Sequence, residues 1–96
     1  MELNKQVVAG IAEEYVARWQ RVTHYDELAL MEQNGDKDYE NAIGEDDQEY
    51  KVLFYVLPGA DGALQMVVAV NHRRLRSAVA SLTREAIIRS DGTYVE

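Results

Sequence analysis

The sequence predicts a two-layer α+β domain: an N-terminal amphipathic helix, with a short second helix, packed on an antiparallel meander sheet of three or four strands. Three observations carry that expectation. The runs YKVLFYVL (50–57) and LQMVVAVN (64–71) are rich in β-branched and aromatic residues. They flank a short loop holding Pro58-Gly59 and Asp61-Gly62, which is hairpin spacing. Residues 3–22 repeat their apolar positions at helical period, and a chain of 96 residues, 47% of them hydrophobic, can close one core without staples.

The helix over 3–22 comes first. At about 100° per residue, Leu3, Val7, Val8, Ile11, Tyr15, Trp19 and Val22 fall on one arc, with Glu2, Gln6, Glu13 and Gln20 opposite. The phase breaks after Val22, because Leu28, Leu30 and Met31 would then scatter over three faces. Thr23 with Asp26 three residues later has the form of a capping box, and Asn34-Gly35 tolerates positive φ. A second helix over 24–33 follows from these signals, with one long bent helix as the alternative. Residues 36–49 are acidic and poor in large apolar side chains, so they read as a loop with a short strand near 39–43. The sheet occupies 50–95: the hairpin, an ambiguous stretch over 73–82, a strand over 84–90, and a turn at Asp91-Gly92 into a short strand over 93–95.

Each strand of the hairpin divides by alternation into two faces. Val52, Phe54 and Val56 share one side with Leu64, Met66, Val68 and Val70, a purely apolar set suited to the N-terminal helix. The other side holds Lys51, Leu53, Tyr55, Leu57, Gln65, Val67, Ala69 and Asn71, polar at its ends and apolar in its middle. A face meant for water would be more polar, so Leu53, Tyr55 and Val67 are expected to be covered. The second helix, the C-terminal segment, a second copy of the chain and a separate partner are the candidates.

Charge is unevenly placed. The net formal charge is −7; residues 26–49 hold ten acids and one base (−9), while residues 71–89 hold five arginines and one acid (+4). Such asymmetry bears on steering and solubility. The overall acidity argues against nucleic acid as a partner, which calls for a dense basic face with interleaved aromatics. Arg73, Arg74 and Arg76 are the weak anion-binding candidates, although pairing with the chain's own acids explains them as well. No run reaches the ~18 apolar residues of a membrane span, and the N-terminus lacks a signal-peptide pattern, so a cytoplasmic protein is expected.

The chain has no cysteine, which excludes disulfides, thiolate zinc sites and cysteine nucleophiles. His24 and His72 belong to no metal-binding spacing, and no serine or threonine lies in a nucleophile motif. No catalytic residue and no cofactor are therefore assigned. Asp36, Asp38, Glu40 and Asp47 stand at positions 1, 3, 5 and 12 of a window that resembles the calcium loop of EF-hand proteins. It departs from that pattern in having Asn41 where glycine is usual and an aspartate at its end. The leading functional expectation is a non-catalytic protein-interaction module of adaptor, inhibitor or immunity type. Its surface would combine Leu53, Tyr55 and Val67 with Asp46, Asp47 and Glu49, and a basic-surfaced partner or a second copy would meet it. Divalent-cation binding through 36–47, and a small-molecule or catalytic helix-on-sheet domain, are the alternatives.

Overall fold

The computed structural model describes residues 5–72 and 82–95. Helices α1 (Lys5–Val22) and α2 (Tyr25–Asn34) precede four strands, β1 (Lys37–Ile43), β2 (Glu49–Pro58), β3 (Leu64–His72) and β4 (Leu82–Ile88). The strands form one antiparallel sheet in the order β1-β2-β3-β4, an open meander. The two-layer α+β expectation holds. Both helices lie on the same face, α1 against β3 and β4 and α2 against β2 and β3.

The core forms where the apolar arc of α1 meets the apolar side of the strands. Val8, Ile11, Ala12 and Tyr15 of α1, with Leu28 of α2, are buried on Tyr50, Val52, Phe54, Val56, Leu64, Met66, Val68, Val70, Ala86 and Ile88. The sheet residues alternate along β2, β3 and β4, as pleating requires. Trp19 anchors this layer: its ring centroid lies 3.9 Å from that of Phe54 and 5.5 Å from that of Tyr15. Each Val, Leu or Phe removed from water in this way contributes about 1.5–3 kcal/mol.

The junction between the helices differs from the sequence expectation. Thr23 does not open α2 with a capping box. Its amide and its hydroxyl both return to the Trp19 carbonyl and so close α1. His24, in an extended conformation, takes the cap position and makes no side-chain cap bond. The α2 stop forms as expected: Gly35 is left-handed (φ 67°), its amide reaches the Glu32 carbonyl, and the Asp36 amide reaches that of Met31.

Two more segments depart from expectation. The short strand expected near 39–43 starts earlier and is β1, paired with β2 from Lys37↔Tyr55 to Ile43↔Glu49. The final strand over 93–95 reduces to a single bridge, Ile88 to Tyr94, supported by the Val95 amide on the Ile87 carbonyl. The ambiguous stretch over 73–82 lies outside the described residues apart from Leu82, which begins β4.

Candidate interaction face

The sheet face turned away from the helices gathers side chains from all four strands. Register and alternation set them in rows: Lys37–Tyr55–Val67–Glu85, then Tyr39–Leu53–Ala69–Thr83 on one side and Leu57–Gln65–Ile87 on the other. Asn41–Lys51–Asn71 and Ile43–Glu49 complete the face toward the β1–β2 turn. Val67 and Ala69 on the central strand are buried and Leu53 and Tyr55 are half-buried. Around them Tyr39, Leu57 and Ile87 remain 57%, 42% and 41% exposed. Among the described residues, neither α2 nor 89–95 covers this face, since Leu28 and Tyr94 pack into the core on the other side.

Its cations are held on aromatic rings. The Lys51 ammonium stands 4.5 Å from the centre of the Tyr39 ring and that of Lys37 stands 5.8 Å from Tyr55. With Glu49 and Glu85 on the same face, the four charges of its described residues cancel.

Apart from Glu49, the strand and turn acids expected to steer a basic partner are engaged elsewhere. Asp38 and Glu40 share the helix side of β1, where the Arg18 guanidinium is 3.8 Å from Glu40 and 4.5 Å above the Tyr15 ring. Burial, followed by the nearby Glu40 carboxylate, raises the Tyr15 phenol above its ordinary range, against the lowering effect of Arg18. Asp46 is a structural residue of the β1–β2 turn. It accepts a 2.6 Å bond from the Tyr50 hydroxyl and a 3.2 Å bond from the Gln48 amide. Burial and this carboxylate together push the Tyr50 phenol up to about 12. Asp47 adopts φ 59° at the tip of that turn, and Glu49 belongs to the open face.

Gly44, which the sequence reading did not single out, makes the turn possible. A Cβ there would lie 2.6 Å from Val7, 2.7 Å from the Asp46 carboxylate and 2.8 Å from the Tyr50 ring. No local pattern flags it, because its neighbours come from α1 and β2.

The calcium-loop geometry does not form over 36–47. Asp38 and Glu40 lie on the extended strand β1 and Asp36 precedes it, whereas a calcium loop must wrap its oxygens around one ion. Among the described residues no group of three or more His, Asp or Glu side chains is placed to share a metal. Arg73, Arg74 and Arg76 lie outside the described residues. Arg84 faces α1, 3.8 Å from Glu13, and Arg89 holds the C-terminal turn through Thr93 and the Tyr94 carbonyl. These two arginines thus serve the fold's own contacts.

A cleft of about 520 Å³ opens where the α1–α2 junction meets residues 88–94, lined by Arg21, His24, Asp26, Asp91 and Tyr94 among others. Its acids are already engaged or offset. Asp91 accepts bonds from the Thr93 hydroxyl and amide, which hold its carboxyl below the usual range, and Asp26 complements the α2 dipole in the first turn. The lining includes none of Tyr15, Trp19 and Tyr55. Among the described residues no helix is long and apolar enough to cross a membrane. No protein-family model, no curated protein and no solved structure matches the chain.

Proposed function

We propose that this protein is a non-catalytic interaction module that binds another protein surface through the open face of its sheet. The observation that carries this reading is the set of large apolar side chains from three strands, Tyr39, Leu57 and Ile87, gathered half-exposed on one face around a buried centre. An apolar centre rimmed by lysines and glutamates has the composition of a specific interface, and monomers rarely leave such a patch to water. The acid excess acts at longer range, because Asp38, Glu40 and Asp46 stand off this face.

Leu57→Asp and Ile87→Asp test the reading. At dilutions that keep the chain monomeric, urea unfolding should shift by no more than about 0.5 kcal/mol, as for surface positions. Association at higher concentration should be lost in the same variants. A stability loss above about 2 kcal/mol would mean that the face belongs to the chain's own core, and the reading would fail.

A further inference from the structure

Resting on the open-face reading, we propose that the occupant of this face is a second copy of the chain, docked about a two-fold axis parallel to the strands and passing between β2 and β3. Such an axis reverses each row onto itself. Lys37 of one copy then meets Glu85 of the other, and Glu85 meets Lys37, giving two opposite-charge pairs at the two rims. Val67 and Ala69, already buried in the single chain, offer little contact, but in the next row Tyr39 stands over Thr83, a large side chain against a small one. Self-complementarity of this kind is what an isologous interface requires.

The competing arrangements lack it. A two-fold across the strands sets β1 on β1 and β4 on β4. The open-face residues of β1 (Lys37, Tyr39, Asn41, Ile43) include no acid and those of β4 (Thr83, Glu85, Ile87) no base, so neither charge finds a partner on the strand it faces. Edge pairing of β1 with β1 in registers centred on residues 38, 39 or 40 brings the carboxylates of Asp38 and Glu40 together. A nucleic acid would meet a face whose two lysines are cancelled by two glutamates. Four strands spaced about 4.8 Å apart and roughly 25–30 Å long give a projected area near 500 Å², toward the low end for specific interfaces. A dimer of roughly micromolar Kd fits that area, and aligned packing of two sheets accommodates it.

Sedimentation equilibrium from about 1 µM to about 1 mM tests the proposal by charge exchange. Wild type should dimerise. Lys37→Glu and Glu85→Lys, each of which turns both rim pairs into like charges, should each raise the dimer Kd about tenfold. An equimolar mixture of those two variants should recover the wild-type affinity, because both rim pairs become opposite again, and so should the Lys37→Glu/Glu85→Lys double variant. Dimers of both single variants as tight as wild type, with no gain on mixing, would overturn the axis. A wild type that stays monomeric throughout would overturn the second copy as occupant. In that case nitration of Tyr39 and Tyr55 separates the two readings: reactive rings leave a free face for another protein, and protected rings remove the open-face reading as well.

Discussion

Phe54 and Tyr55 are neighbours on one strand and belong to two different environments. Phe54 is 1% exposed and lies under the Trp19 ring at 3.9 Å. Tyr55 points the other way, half-buried, with a lysine ammonium beside its ring. The same division runs through the sheet: on the helix side β2 and β3 bury eight residues from Tyr50 to Val70, whereas on the other side only Val67 and Ala69 are buried. Both faces are apolar at their centre. They differ in what packs on them, so apolar composition alone does not separate core from contact surface. The charges follow the same line. On the helix side Arg18–Glu40 and Arg84–Glu13 span from α1 to the sheet, and as exposed pairs they add little stability. On the open side Lys37 and Lys51 rest on aromatic rings of their own face.

Adjacent truncations give the sharpest test of this difference. Phe54→Ala should lose about 3–5 kcal/mol in urea unfolding, through lost burial and a cavity under Trp19. Tyr55→Ala, measured on dilute monomer, should lose no more than about 1 kcal/mol. Equal losses would erase the distinction between the faces.

An alkaline titration probes the helix side further. The Tyr50 phenol has a folded pKa raised to about 12 against about 10 in an unfolded chain. Its contribution is therefore fully present below pH ~10 and declines as pH rises toward ~12, a loss of roughly 2–3 kcal/mol in all. Tyr50→Phe should flatten that decline; an unchanged alkaline slope would show that Tyr50 is not closed in by Asp46 and the core. A somewhat smaller effect, about 1–3 kcal/mol, is expected for Gly44→Ala, whose methyl must displace Val7, Asp46 or Tyr50. A neutral result there would mean that the β1–β2 turn does not seat on α1 as described.

Much of the architecture was legible. Residues whose environment is set by local periodicity, such as Val52, Phe54, Val68 and Ile11, announced their side of the sheet or helix from spacing alone. β1 was legible only in part, as a short strand near 39–43, because an edge strand gains its stability from backbone pairing with β2 while nearly all of its side chains stay exposed. Hydropathy leaves no trace of such pairing, so the acidic, apolar-poor start of the strand at Lys37 and Asp38 reads as loop. The Thr23 capping box failed for a related reason: the hydroxyl donates back to the Trp19 carbonyl and closes α1, and the cap position of α2 falls to His24. For the candidate face, Leu53, Tyr55 and Val67 were identifiable from the hairpin alone. Tyr39, Lys37, Glu85 and Ile87 were not, since they join the face only through strands paired outside it.

By itself, then, the sequence determined the α+β class, the existence of the hairpin and the division of its strands into an apolar side and a mixed side, because each follows from dihedral periodicity and turn chemistry within a few residues. Only the tertiary structure decided that both helices take the same side, that the acidic segment pairs as an edge strand, and that Lys37 and Glu85 stand at opposite rims of one face. Those outcomes depend on hydrogen bonds and packing between residues far apart in the chain, where local pattern carries no information.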